Sequence, residues 1–144
     1  MTIPQHSFGI VPIYKKENEL FFLLVQHKHA QHWSFPKGRP EHDETPEESA
    51  TREFHEETGI KTVDLVPSPT FIEHYDFHTP EGTHIQKTVT YFLGFVDTMD
   101  VSIQEEEIRG AVWGNAKDTM STLTHKNTKD LFTKVITHID TTHA

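Results

Sequence analysis

The chain contains no cysteine in its 144 residues. That absence excludes disulfides, thiolate zinc sites and a cysteine nucleophile together. No apolar run is long enough to span a bilayer. The opening, MTIPQHSFGI, has no basic segment leading into an apolar one, so no secretory signal is expected. Positive charge is scarce: 13 Lys and Arg stand against 22 Asp and Glu, a formal net charge of −9. Such a surface does not attract nucleic acid or an anionic membrane at long range. An anionic ligand would need cations recruited locally. Repeats, low-complexity tracts and linkers are also missing. The expectation is a cytoplasmic protein folded as one domain over residues 1–144, its 34 % hydrophobic content being ordinary for a globular chain.

Apolar and β-branched runs occur at Phe8–Tyr14, Leu20–Gln26, Lys61–Val66, Thr70–Phe77 and Lys87–Val96. Each is bounded by Gly, Pro, Asn or charged residues and reads as a strand. Lys15–Glu19 reads as the hairpin turn between the first two. Thr45 is a good N-cap, Pro46 suits the first helical position, Glu48 completes a capping box and Gly59 suits a left-handed end. That predicts a helix from Thr45 to Gly59. A second helix is expected over Thr128–Ile139, capped by Asn127, because Leu131, Phe132, Val135, Ile136 and Ile139 repeat at three and four residues. A shorter helix is expected near Ala116–Leu123. The fold class is therefore α/β (α+β), a mixed sheet between helices.

The segment GRPEHDETPEESATREFHEETGI, Gly38 to Ile60, holds eight carboxylates and two arginines. A charge run of this kind is ordinarily a solvated helix face. The spacing argues otherwise. At about 100° per residue, Ala50 and Phe54 share a core-facing side, and Glu53, Glu56 and Glu57 crowd into an arc of about 100° beside it. Carboxylates so close repel and raise one another's pKa. A divalent cation resolves the repulsion, and an oxygen-only ligand set suits Mg²⁺, Mn²⁺ or Ca²⁺ rather than zinc. Arg52, four residues before Glu56, is placed to orient that carboxylate.

The full pattern runs Gly38, five residues, Glu44, seven residues, Arg52-Glu53, an apolar Phe54, Glu56-Glu57, Gly59 and an apolar Ile60. It resembles the Nudix hydrolase box at every defined position. At this composition the seven fixed residues coincide by chance on the order of once in 10⁸ positions, which outweighs the solvated-helix reading. The resemblance implies a Nudix fold with a loop–helix–loop over 38–60. It implies Mg²⁺ or Mn²⁺, more than one ion per site, and hydrolysis of a nucleoside diphosphate linked to another group. Carried over, Glu53, Glu56 and Glu57 are metal ligands, the Gly38 carbonyl is a further one, Glu44 supports them and Arg52 orients. His42-Asp43 stands where many members carry Pro-Gly, a change that touches no ligand.

Outside the box, His32–Gly38 (HWSFPKG) and Lys87–Phe95 (KTVTYFLGF) are similar to segments of the asymmetric bis(5′-nucleosyl)-tetraphosphatases. That likeness implies a dinucleoside polyphosphate substrate, cleaved to ATP and AMP. It makes Lys37 and Lys87 phosphate contacts and His32 a phosphate donor, against the ordinary reading of each as a surface residue. Tyr91 and Tyr75 are candidates to stack on a base or to pack in the core, where strand aromatics more often go. Glu107, just before an apolar strand, matches a loop glutamate that binds metal or acts as general base in many members. Ala111 falls where relatives often carry a stacking tyrosine. The base is Glu56, Glu107 or another carboxylate. RNA 5′-pyrophosphohydrolase, house-cleaning nucleoside triphosphatase and non-catalytic nucleotide sensor are the alternatives. The acidic chain disfavours the first, and the intact glutamates disfavour the last.

Overall fold

Alternating apolar residues give one sheet two buried faces, and the helices divide between them. The computed structural model describes residues 2–142. Its strands are β1 (Thr2–Lys16), β2 (Glu19–His27), β3 (Trp33–Ser34), β4 (Lys37–Gly38), β5 (Asp64–His78), β6 (His84–Val96) and β7 (Ile108–Gly114), and its helices α1 (Pro46–Thr58), α2 (Ala116–Thr122) and α3 (Lys126–Thr142). The sheet runs β3-β2-β1-β6-β5, with β4 added to β1 and β7 to β2. β1 and β6 pair in parallel from Thr2↔His84 to Tyr14↔Val96, and the other pairings are antiparallel. This is the mixed sheet between helices that the sequence implies.

Adjacent residues on a strand point to opposite faces. Ile10, Leu23 and Phe92 pack with Ala50, Phe54 and Ile60 on the α1 side. Val11, Leu24, Val89, Tyr91 and Leu93 pack with Leu131, Phe132, Val135 and Ile139 of α3 on the other. α1 carries both halves of its capping box, Thr45 with Glu48, and ends at Gly59 with φ 73°.

Two boundaries differ from expectation. Lys61–Val66 is no separate strand: β5 starts at Asp64 and continues to His78, with its register slipping between Val66 and Thr70 around Pro67 and Pro69. Proline removes a ladder donor, which an edge strand tolerates. Asn127 does not cap α3. It lies within the helix, and its side-chain amide donates to the His74 carbonyl at 2.8 Å instead, tying α3 to β5.

Candidate active site

α1 docks through Ala50 and Phe54, both fully buried. That fixes how the acidic flank of the helix meets β4. Glu57 is 2 % exposed, Glu53 is half-buried, and Glu56 faces solvent. Gly38 brings the β4 backbone against Glu53 so closely that a Cβ there would lie 2.0 Å from Glu53 Cδ. Only glycine leaves room for the carboxylate at that point.

Arg52 organises the acids around it. Its Nε donates to Glu44 Oε2 at 2.6 Å and its Nη2 to Glu44 Oε1 at 3.1 Å, a two-pronged contact. Nη1 donates to Glu56 Oε1 at 3.1 Å and Glu53 Oε2 at 3.3 Å. Nη2 also donates to the Arg39 carbonyl at 2.9 Å, closing the loop over the helix. The Arg52 hydrogen bonds hold the Glu44 carboxyl below the usual carboxylate range. Glu44 thus sits behind the cluster and touches it through the guanidinium.

The electrostatics of the other acids are opposite. Burial pushes the Glu53 carboxyl up, with the charges of Glu56 and Glu107 adding to the effect against Arg52. Burial pushes Glu57 well above its ordinary value, helped by Glu53 and Glu107. Glu57 Oε1 is buried without a hydrogen-bond partner. Among the described residues no group of three His, Asp or Glu side chains is already placed to hold a metal ion. Even so, an orphaned carboxylate oxygen, mutually destabilised acids and a glycine-lined approach are a donor set that fits a hard divalent cation. Glu107, exposed just before β7, lies close enough for its charge to act on both Glu53 and Glu57, although about fifty residues of chain intervene.

Lys37 lies beside these acids, and Lys87 lies near Lys37. Lys37 follows the cluster onto β4, where burial lowers its pKa against the pull of Glu73, Glu57 and Glu53. Lys87 is 7 % exposed on β6. Burial, then Lys37 and Arg39, lower its pKa to about 8. Next to Lys37 opens a cavity of about 410 Å³, lined by His32, Tyr75, Phe77, His125 and Glu73 among others. His32 is half-buried, its ring 5.0 Å from that of His125. A backbone tie sets that approach, since the Trp33 amide donates to Thr124 Oγ1 at 2.8 Å.

The structure therefore brings His32, Lys37 and Tyr75 to one cavity, with Lys87 opposite Tyr75 on the neighbouring strand. Tyr91 is corrected. Its side chain is 0 % exposed, and its ring packs edge-on against Phe35 at 5.8 Å. It has no free face for a base. Its ring also crosses β1 at Gly9, where a Cβ would lie 2.8 Å from Tyr91 Cε1. Ala111 packs on the α1 side of the sheet, away from the cavity. The residue that lines the cavity with Tyr75 is His125, which sequence reasoning missed. It also missed Glu73 and Thr128. Glu73 carried a signal, since it alternates with Phe71, Tyr75 and Phe77 on β5.

The sequence matches the family model for the NUDIX domain over residues 4–135. Among curated relatives, the asymmetrical bis(5′-nucleosyl)-tetraphosphatase of Rattus norvegicus is 34 % identical over 84 residues, 58 % of this chain and 55 % of that protein. An RNA pyrophosphohydrolase of Bartonella henselae is 40 % identical over 45 residues, 31 % of this chain and 26 % of that protein. The chain thus spans about half of the one relative and about a quarter of the other. An Ap4A hydrolase of C. elegans, solved as a binary complex, superposes with a TM-score of 0.79 at 22 % identity over 94 % of this chain and 98 % of that one. The E. coli dihydroneopterin triphosphate pyrophosphohydrolase gives a TM-score of 0.71 at 17 % identity over 92 % and 96 %. At these identities the structural likeness establishes the fold.

Proposed function

The chain belongs to the NUDIX family, and from that premise we propose that it is a metal-dependent pyrophosphohydrolase that cleaves diadenosine tetraphosphate and related dinucleoside polyphosphates to ATP and AMP. One observation carries the reading: the unpartnered oxygen of Glu57 belongs to a carboxylate that acts on the desolvated Lys37, and Lys37 lines a base-sized cavity, with Lys87 close enough to act on Lys37 in turn. Acids alone would repel a polyphosphate, and lysines alone would not hydrolyse it. Together they fit a substrate that is both bound and cut.

Glu53, Glu56, Glu57, Glu107 and the Gly38 carbonyl would hold Mg²⁺ or Mn²⁺. Such ions supply an activated water and neutralise charge that grows on the phosphate oxygens. Arg52 keeps Glu53 and Glu56 oriented. Lys37 and Lys87 take non-bridging phosphate oxygens as point charges, and His32 donates at the mouth of the cavity. The water oxygen attacks phosphorus, its proton passes to a carboxylate (Glu56 or Glu107), and the bridging phosphorus–oxygen bond breaks to release the two nucleotides. Tyr75 and His125 enclose the base. The single domain over 1–144 and the cytoplasmic setting belong to the same proposal. No helix among the described residues is long and apolar enough to cross a membrane.

Product analysis by chromatography tests this. Diadenosine tetraphosphate with Mg²⁺ should yield ATP and AMP. An intact dinucleotide, with pyrophosphate released instead from triphosphorylated RNA, would replace this reading by the RNA 5′-pyrophosphohydrolase one.

A further inference from the structure

Glu73 is a buried carboxylate that the chemistry above leaves unused. It is 5 % exposed and shares its face of β5 with Phe71, Tyr75 and Phe77, looking toward α3. Its Oε2 accepts a hydrogen bond from Thr128 Oγ1, in the first turn of that helix. Its Oε1 has no hydrogen-bond partner among the described residues, yet is not one of the sealed, unpartnered atoms. Glu73 lines the cavity with Lys37, Tyr75 and His125.

An ionised carboxylate accepts hydrogen bonds and donates none. It repels phosphate, so within the cavity that Lys37 and Glu73 share the phosphate chain of a bound nucleotide belongs with the lysine and the base with the carboxylate. Whatever meets Oε1 has to bring an N–H or O–H. Asp76 and Asn127 also line the cavity, but Asp76 Oδ1 has His84 Nε2 at 3.6 Å and the Asn127 amide donates to the His74 carbonyl. With Thr128 holding one oxygen, a single acceptor is left, enough for one amino group.

We infer that Glu73 reads the base: it accepts a hydrogen bond from the exocyclic amino group of a base seated between Tyr75 and His125. In the substrate proposed above, on which this inference rests, that is the 6-amino group of adenine. A keto group in the same place would set two acceptors against each other, and sites built on a buried hydrogen-bonding group reject analogues that cannot complete it.

The test uses ligands with no anhydride to cut. Calorimetry on the full chain compares AMP, IMP, which carries a keto group at that position, and N6,N6-dimethyl-AMP, which has lost both amino hydrogens. AMP should bind at least about 10-fold more tightly than either. Glu73→Gln, whose amide can donate to a keto oxygen while its carbonyl still serves Thr128, should bring AMP and IMP within about 2-fold or reverse their order. Equal affinities for the wild-type protein, no AMP binding, or an unchanged preference in a folded Glu73→Gln variant overturns the inference. If that variant fails to fold, the dimethyl ligand on wild-type protein decides alone. Hydrolysis of diadenosine tetraphosphate is scored separately. Its absence removes the functional reading and leaves the nucleotide series to judge Glu73, whereas hydrolysis with equal AMP and IMP affinity removes Glu73 alone.

Discussion

Gly38→Ala separates the geometry of the acidic cluster from the stability of the fold. The added Cβ would lie 2.0 Å from Glu53 Cδ, 2.1 Å from Oε2 and 2.5 Å from Oε1. All three atoms belong to the end of a flexible side chain, so the carboxylate gives way and not the backbone. Gly38 is not among the positive-φ residues, and alanine adopts its conformation without strain. Moving Cδ from 2.0 Å to the 3.4 Å of ordinary contact displaces the carboxylate by about 1.4 Å. A misplacement of about 1 Å in a catalytic group costs on the order of 10²-fold in rate. Stability, by contrast, should change by no more than about 1 kcal/mol. The assays are kcat on diadenosine tetraphosphate, the Mg²⁺ concentration for half-maximal rate, and urea unfolding. The expected result is a loss of about 10²-fold or more in kcat, a raised Mg²⁺ requirement and a nearly unchanged unfolding free energy. Full activity in a folded variant would mean that Glu53 has no need of its observed position. A large loss of stability would mean that the backbone of β4 moves instead.

Glu56→Gln and Glu57→Gln should each lower kcat by at least about 10²-fold; for Glu57→Gln the metal-free protein should melt no earlier than wild type, because a neutral isostere replaces a carboxylate whose charged form burial and Glu53 disfavour. Unchanged turnover in both would sink the metal-ligand assignment. Phe54→Ala removes a fully buried ring between α1 and the sheet and should cost about 3–5 kcal/mol in urea unfolding; a cost below about 1 kcal/mol would contradict the docking described for α1. His27 is held neutral mainly by burial, then by Lys37 and His32, with its pKa lowered from 6.5 to about 4. The unfolded chain binds that proton first, so this stability is complete above pH 6.5, falls as the pH drops toward 4, and amounts to about 3 kcal/mol. His27→Gln should flatten the stability curve between pH 7 and 4, and parallel curves would refute the assignment.

The elements that were legible carry local signals. Around α1 every instruction lies within a few residues: Thr45 and Glu48 cap each other, Ala50 and Phe54 mark the buried side, and Gly59 turns the chain at φ 73°. β3 and β4 are two residues each and carry no pattern of their own. They exist because Val25 and Gln26 of β2, and Phe8 and Gly9 of β1, offer them ladder partners. In β5 the two prolines read as a break, whereas the structure absorbs them as a register slip on an outer strand. Pattern reading finds the break in hydrogen bonding but not its position in the sheet, and that position decides whether the strand continues.

The same limit governs the site. Glu53, Glu56 and Glu57 were found because one helix turn displays them together. Glu73 and Thr128, 55 residues apart, meet only through the packing of α3 on β5, and His125 reaches His32 only through the Trp33–Thr124 contacts. Tyr75 and Tyr91 make the point most sharply. Both are strand aromatics on the α3 side of the sheet, and their sequence neighbourhoods do not rank them. β6 lies inside the sheet, between β1 and β5, so Tyr91 is covered by Phe35 and the core. β5 ends this side of the sheet, so Tyr75 keeps part of its surface in the cavity. An aromatic on an inner strand is committed to the core on its own face, while one on an outer strand beside a helix end can hold a ligand. Strand order, which pattern alone does not supply, therefore leaves Tyr75 and not Tyr91 as the stacking candidate of the proposed reading.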